Sequence, residues 1–182
     1  MAVFAKPYAD FVQRFRVPAG LFLLGGFAFL AHPSWMSVLQ SLPVIAVGMA
    51  LRAWAAGHLE KNQKLAVSGP YAYTRNPLYF GSLIVAAGFC IAAASWWLGL
   101  LFFAAFALIY LPVMEQEAAH LSNLFPDYAA YAARVPLLLP WPSGYGAGKA
   151  FSWDLFWRNK EQKAWYASLA GLSLLLVKIW AS

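Results

Sequence analysis

The chain has 182 residues, of which 62% are hydrophobic and only 11% are charged, and it contains 9 Trp, 9 Tyr and 14 Phe. This composition excludes an ordinary water-soluble domain and indicates an integral membrane protein. The net charge of +6 does not require a nucleic-acid partner, because the basic residues fall in clusters that membrane topology explains.

Two charge-free runs, residues 17–51 and 76–114, dominate the chain. One crossing of a bilayer needs about 20 helical residues, so each run is long enough for a helical hairpin. His32-Pro33-Ser34 and Ser95-Trp96-Trp97 interrupt the runs and are the expected outer turns. Residues 1–16 are expected to form an interfacial lead-in to the first span.

Basic residues precede the first run, lie between the runs and follow the second run. If both runs are hairpins, the three clusters share one side of the membrane, and the positive-inside rule makes that side cytoplasmic. Residues 151–163 predict an interfacial helix, and residues 164–177 predict a final span that Lys178 extends by snorkelling. We therefore expect an all-α polytopic membrane protein with about five transmembrane helices, two helical hairpins and a cytoplasmic N-terminus.

The polar stretch between the runs, residues 63–79, is dense in specialised residues. Gly69-Pro70 predicts a turn, and the spacing of Tyr71, Tyr73 and Arg75 would place these side chains on one side of an extended chain. Asn76 is a preferred N-cap and Pro77 suits a first helical position, so a helix is predicted to begin at Pro77. Its positive end, next to Arg75, could hold a carboxylate or phosphate. Interfacial Tyr and Arg anchors in a plain loop are the alternative.

Acidic residues are rare in the chain, and Glu115 and Glu117 lie where the fourth span leaves the membrane. An acid at such a place is a functional candidate. Two positions apart on a helix, the two side chains point in different directions, so one is expected to face a site while the other faces water. Arg52 is expected to snorkel to the interface. The chain has no HxxxH or CxxC motif and no carboxylate cluster, so no bound metal is expected.

Two linked motifs carry a resemblance to a known family. They are the run Gly69-Pro70-Tyr71-Ala72-Tyr73-Thr74-Arg75-Asn76-Pro77-Leu78-Tyr79-Phe80-Gly81 and the later pattern Glu117…Leu121…Phe125-Pro126-Asp127-Tyr128-Ala129-Ala130-Tyr131…Arg134-Val135-Pro136…Pro140. Over about residues 48–141 the chain resembles the isoprenylcysteine carboxyl methyltransferase family, which is related to the membrane phospholipid methyltransferases. The resemblance implies an integral membrane enzyme that uses S-adenosyl-L-methionine and releases S-adenosyl-L-homocysteine, with its cofactor pocket on the cytoplasmic side.

One membrane domain, residues 1–182, is expected to have three parts. Residues 1–47 are the N-terminal helices, residues 48–141 the methyltransferase core, and residues 142–182 a loop, an interfacial helix and the final transmembrane helix. The predicted cofactor-binding residues are His58, Lys64, Leu65, Ala66, Val67, Gly69, Tyr71, Arg75, Asn76, Pro77, Leu78, Tyr79 and Glu117.

Two positions depart from the eukaryotic members of the family. Asn76 replaces a histidine, which is a modest change because asparagine also caps helices. Val113 replaces an arginine that is proposed to hold the substrate carboxylate, so a carboxylate held in that way is not expected here.

The predicted function is S-adenosylmethionine-dependent methyl transfer to a membrane lipid or lipidated small substrate. A carboxylate of prenylcysteine type, or another small nucleophile on an amphiphile, is the first acceptor, and phospholipid amine N-methylation is the alternative. A non-catalytic membrane scaffold with the same fold is the alternative from another class. A transporter ranks below both, because no internal repeat is visible.

Overall fold

The computed structural model describes residues 8, 25–27, 29–145 and 148–181, and no strand occurs within them. Residues 25–27 and 29–30 are helical. The remaining helices are α1 (Trp35–Ala56), α2 (Pro77–Ala92), α3 (Trp96–Leu124), α4 (Tyr128–Arg134), α5 (Trp153–Arg158) and α6 (Gln162–Trp180). The predicted lead-in and the start of the first run lie outside the described residues, apart from Tyr8.

Two helices in the described part of the chain, α1 and α3, are long and apolar enough to cross a bilayer, and α2 is a shorter apolar helix. Large apolar side chains on their outer faces are exposed, including Met36 at 63% and Phe103 at 66%. The first predicted turn is confirmed at residues 31–34, where Ser34 caps α1. The second lies slightly earlier than predicted, because Trp96 already begins α3. The number of five spans stays a prediction.

Glycines bring α1 and α2 into close contact. A Cβ atom added to Gly48 would lie 2.8 Å from the backbone nitrogen of Val85 and 2.9 Å from the carbonyl oxygen of Gly81. One added to Gly88 would lie 3.1 Å from the backbone nitrogen of Ile45. Small residues at such crossings allow backbones to approach and gain dispersion contacts, which stabilise helix pairs where burial from water does not. This contact fixes the start of α2 relative to the end of α1.

The long helix α3 contains one wide turn of π-helix over Phe106–Tyr110. Pro112 is the second residue after this turn and has no N–H with which to bond the carbonyl of Leu108, four residues earlier. A π-turn accommodates a proline because it displaces the local hydrogen-bond ladder by one residue. The Leu108 carbonyl instead accepts a hydrogen bond of 2.8 Å from the hydroxyl of Tyr8. The helix then continues past Glu115 and Glu117 to Leu124.

We expect Gly48→Ala to lower the thermal unfolding midpoint in detergent, because the new methyl group meets backbone atoms that cannot rotate away. Overpacking of this kind costs about 1–3 kcal/mol. Gly99→Ala is the matched control, since a Cβ atom there has nothing within 4 Å. That change should stabilise the helix by roughly 0.5–1 kcal/mol. A Gly48→Ala midpoint equal to or above that of the control would contradict the close packing.

Candidate functional site

The polar stretch folds into one 3₁₀ turn, Gly69–Ala72, followed by the start of α2 at Pro77. The predicted helix start is confirmed. Tyr71 and Arg75 face a common cavity, whereas Tyr73 is 45% exposed and does not line it. The expectation that all three side chains share one side is wrong, because a 3₁₀ turn has a period of three residues rather than the two of an extended chain.

Hydrogen bonds from the segment after α4 hold this stretch in place. The backbone N–H of Arg75 donates to the carbonyl of Pro136 at 2.9 Å, and Asn76 Nδ2 donates to the carbonyl of Leu137 at 2.9 Å. Asn76 therefore occupies the N-cap position of α2 but does not cap it with its side chain. The first N–H groups of α2, which the predicted cap would have satisfied, therefore donate no hydrogen bond to the Asn76 side chain.

The hydroxyl of Tyr131, on α4, donates a hydrogen bond of 2.7 Å to the carbonyl of Tyr71. Both side chains are buried, and burial raises the pKa of each phenol well above its usual value. Desolvation disfavours a phenolate, so both side chains stay neutral at any physiological pH. They shape the wall of the cavity and do not serve as bases.

A cavity of about 880 Å³ lies between the end of α1 with the loop after it, the start of α2, α3 from Phe102 onward, and α4. Most of the predicted cofactor residues line it, namely Lys64, Leu65, Ala66, Tyr71, Arg75, Asn76, Pro77, Leu78, Tyr79 and Glu117. Residues that the prediction did not include also line it, among them Arg52, Lys61, Ser82, Phe102, Phe106, Tyr110, Gln116, His120 and Tyr128. The fold thus brings the two distant motifs to one space, while cofactor binding there stays a prediction.

Tyr79 and Glu117 join the two motifs directly. The Tyr79 hydroxyl donates a hydrogen bond of 3.0 Å to Glu117 Oε1. The ring of Tyr110, one of the π-turn residues, packs edge-on against the Tyr79 ring with centroids 6.0 Å apart. Glu117 lines the cavity and Glu115 does not, as expected for side chains two positions apart on one helix. Among the described residues that line the cavity, Glu117 is therefore the one carboxylate, and aromatic rings lie next to it.

Positive charge also lines the same cavity. Lys61, Lys64 and Arg75 all line it. Arg75 Nη1 donates a hydrogen bond of 3.3 Å to the hydroxyl of Tyr128. Arg75 Nε is buried and has no hydrogen-bond partner within the described residues. A buried donor without a partner is costly, so this nitrogen is a natural place for a bound acceptor group.

His58, Val67 and Gly69 do not line the cavity. The His58 ring is buried, its Nδ1 lies 2.8 Å from the carbonyl oxygen of Trp54, and a Cβ atom on Gly69 would lie 2.7 Å from the ring. Gly69 has φ of +59°, the left-handed region that glycine adopts without strain. Val67 packs against the cluster of Tyr128, Tyr131 and Val135. These three residues pack against other parts of the protein and hold the loop in position without lining the cavity.

Arg52 differs most from its predicted role. Instead of snorkelling, its Nε and Nη2 atoms form a bidentate ion pair with Glu161, at 2.7 and 2.9 Å. Its Nη1 donates to the carbonyl of Leu78 at 3.3 Å and to the hydroxyl of Ser82. The Glu161 side chain is 6% exposed and precedes the first residue of α6, where a helix dipole favours a negative charge. The pair fastens α6 to α1 and α2.

The segment before α6 also holds the loop that carries Lys61 and Lys64. Asn159 Nδ2 donates to the carbonyls of Ala56 and Leu59 at 2.9 and 2.8 Å, which occupies carbonyls at the end of α1. Lys149 pairs with Glu60, and its hydrogen bond lowers the pKa of that exposed carboxyl group. The cavity wall therefore depends on residues far along the chain.

Some of the residues that sequence reasoning missed had a local signal. His120 follows Glu117 by one helical turn, so the two share a helix face and His120 could have been included. Ser82 lies one turn after Leu78 and could have been found in the same way. The Arg52–Glu161 pair had no local sequence signal, because the two residues are 109 positions apart.

Comparisons with known proteins agree with this geometry. A family model described as phospholipid methyltransferase matches residues 35–128. The chain is 32% identical over 144 residues to the cobalt-zinc-cadmium resistance protein CzcN of Cupriavidus metallidurans, an alignment that covers 75% of this chain and 67% of that protein. It is 28% identical over 149 residues to the nickel-cobalt-cadmium resistance protein NccN of Alcaligenes xylosoxydans xylosoxydans, covering 76% and 70%. No solved structure matches the chain.

We expect Glu161→Leu to destabilise the protein strongly, because Arg52 would keep its charge without a partner in a partly buried place. Removing one member of a buried pair costs about 3–5 kcal/mol. The double variant Arg52→Met/Glu161→Leu should recover most of the loss, since no lone charge remains. Thermal unfolding of the three proteins in detergent measures this coupling, and equal midpoints for the single and double variants would argue against it.

Proposed function

Because the chain belongs to the phospholipid methyltransferase family, we propose that it transfers a methyl group from S-adenosylmethionine to a lipid or lipid-linked acceptor. The observation that carries the proposal is the meeting of the start of α2, Arg75 and Glu117 around one cavity. The volume of about 880 Å³ lies within the range of small-molecule sites, which is about 300–1,000 Å³.

The groups around the cavity suit the charges of this cofactor. Its methionine carboxylate suits the unpartnered Nε of Arg75 and the N–H groups that open α2. Its ammonium, or its ribose hydroxyls, suit Glu117, which already accepts from Tyr79. The rings of Tyr79, Tyr110 and Phe106 offer faces for the adenine or for the sulfonium, which aromatic rings attract as they do other cations. We propose these residues as the cofactor site.

When bound, the cofactor supplies an electrophilic methyl group, and S-adenosylhomocysteine is the product. The task of this chain is then to hold the acceptor in line with that methyl group and to exclude water. The buried phenols of Tyr71 and Tyr131 contribute a fixed, neutral wall. Arg75 and Glu117, which both line the cavity, balance the opposite charges of the cofactor.

Among acceptors, we favour the amine of a membrane phospholipid over a carboxylate. Val113 is buried and cannot hold an anion, and Arg52, on the inner part of the wall, is already neutralised by Glu161. The description of the family model points the same way. A carboxylate on a prenylated cysteine is the second candidate, in line with the motif resemblance, and would need Arg75 or a lysine from the loop after α1.

Both curated relatives are named as metal-resistance proteins, so we propose metal tolerance as the biological setting of the reaction. In this proposal the protein acts on the membrane lipid. Growth of a host in cobalt, with the wild-type chain or its Glu117→Gln variant, tests the link. If both chains confer the same cobalt tolerance, then tolerance does not depend on methyl transfer, and this proposal is wrong.

We also propose that the site faces the cytoplasm, because the loop after α1 carries Lys61 and Lys64. Cys90 is the only cysteine, so a Cys90→Ala chain with Lys61→Cys gives a single reporter. An impermeant maleimide should label it in inverted membranes and not in intact cells. The reverse pattern would put the site on the outer side.

We expect S-adenosylhomocysteine to raise the thermal midpoint of the wild-type protein in detergent, because it binds the folded state only. Glu117→Gln should weaken its affinity roughly tenfold or more, since a hydrogen bond to a charged group contributes about 1.5–3 kcal/mol. Tyr79→Phe should weaken it less. Ser122→Ala is the control, because Ser122 is exposed on the same helix and does not line the cavity. No shift with wild type would favour a scaffold.

We expect purified protein in vesicles to move label from methyl-labelled S-adenosylmethionine into phosphatidylethanolamine. A parallel reaction with a farnesylated cysteine tests the carboxylate acceptor, and base-labile label would identify a methyl ester. Glu117→Gln should reduce the rate on either substrate and Ser122→Ala should not. Label in the ester alone would reverse our order of acceptors.

A further inference from the structure

The α5–α6 turn, residues 158–163, has a lysine at a position where glycine is usual. Helix α5 ends in a Schellman motif, in which the N–H of Lys160 donates to the carbonyl of Trp157 at 3.0 Å and the N–H of Glu161 donates to that of Phe156 at 3.3 Å. Lys160 occupies the position that favours glycine, with φ of +57°. A side chain in this left-handed region is strained, and glycine there is not. A lysine at such a position points to a use of its charge outside the fold.

The side chains of the α5–α6 turn alternate between the inside and the outside of the protein. Asn159 bonds to carbonyls at the end of α1, and Glu161 forms the buried ion pair described above. Arg158, Lys160 and Lys163 are exposed, and none of them forms an ion pair with another described residue. The fold therefore uses the inward side chains of the turn and leaves its three cations without a partner.

The acidic residues near the turn do not cancel these cations. Glu60 is already paired with Lys149, whose hydrogen bond is the main cause of its lowered pKa, and Arg158 adds only a smaller effect. Asp154 is exposed in the first turn of α5, where the helix dipole favours its negative charge. Three cations against this one exposed acid give the surface an excess of positive charge.

Exposed aromatic side chains flank the turn on both sides, namely Trp153, Trp157, Trp165 and Tyr166. Beyond them, α6 exposes apolar side chains such as Leu169 and Val177. Tryptophan and tyrosine are enriched where a bilayer meets water, with their rings at the level of the lipid head groups. This pattern puts the three cations of the turn at the level of the lipid phosphates.

From the strained lysine, the cations without partners and the flanking aromatic rings, we propose that the α5–α6 turn binds the phosphate groups of anionic membrane lipids. Lysine and arginine clusters beside an apolar helix attract such lipids, and each cation adds to the affinity. Residues 158–163 do not line the larger cavity, so this site is separate from the proposed cofactor site. The inference therefore does not depend on the proposed function.

The test titrates the full chain, in a neutral detergent, with a short-chain phosphatidylglycerol while the thermal unfolding midpoint is measured. A ligand that binds the folded state raises the midpoint. We expect a clear rise with phosphatidylglycerol and a much smaller one with phosphatidylcholine of the same chain length. The rise should shrink as sodium chloride is added, because salt screens exposed charges. Equal rises with the two lipids would overturn the proposal.

The variant Lys160→Gly separates the charge of the lysine from its place in the fold. Without added lipid it should unfold at or above the wild-type temperature, because glycine adopts the left-handed conformation without strain. Its affinity for phosphatidylglycerol should still fall roughly fivefold, as expected when one cation near an anionic surface is lost. Lys163→Gln should lose a similar amount. Unchanged affinity in both variants would contradict the lipid site.

Lys178→Gln is the matched control, because Lys178 carries the same charge about 22 Å further along α6. It should leave the affinity unchanged, and a loss equal to that of Lys163→Gln would mean that only net charge matters and would overturn the site. Inorganic phosphate and glycerol phosphate, which have no hydrocarbon chain, should not raise the midpoint. A rise with either would make the turn a site for soluble anions and would overturn its assignment to the membrane.

Discussion

The hydrogen bonds between the polar stretch and the segment after α4 are the contacts on which the site depends. An irregular backbone beside a membrane needs partners for its N–H and C=O groups. Here the Pro136 carbonyl accepts from the backbone N–H of Arg75, and the Leu137 carbonyl accepts from the side chain of Asn76. The same contacts place Arg75 on the cavity wall and leave the start of α2 uncapped by the Asn76 side chain. A stretch that resembles an ordinary loop is in this way held as one rigid wall of a binding space.

The charge and polarity of the cavity wall change from one part of the cavity to another. The larger cavity is lined by two lysines and Arg75 as well as by Glu117, so a ligand with both charges is suited to it. Further in, the charge of Arg52 is cancelled by Glu161, and the wall becomes apolar beyond Phe102. Arg52, Ser82 and Phe102 line both this cavity and an adjoining apolar one of about 420 Å³. This change in polarity suits the proposed reaction between a polar cofactor and a lipid.

Local signals in the sequence were sufficient for much of this arrangement. The helix start at Pro77, the turn at His32-Pro33-Ser34 and the choice of one glutamate facing the site all follow from capping, proline and helical period. The outward position of Tyr73 was not predicted, because the same sequence places its side chains on different faces in a 3₁₀ turn and in an extended chain. The ion pair of Arg52 with Glu161 could not be predicted, since it depends on how α6 packs against α1.

The π-turn at Phe106–Tyr110 determines in which direction around the helix axis each later side chain of α3 points. A π-turn holds one residue more than an α-turn, and each residue advances a helix by about 100°. Glu117 thus faces the Tyr79 hydroxyl only because that extra residue is present. A homologue that lacks one residue of this turn would need its glutamate at a position shifted by one along the sequence to reach the same tyrosine. An alignment without a gap would then pair Glu117 with a residue that does not face the site.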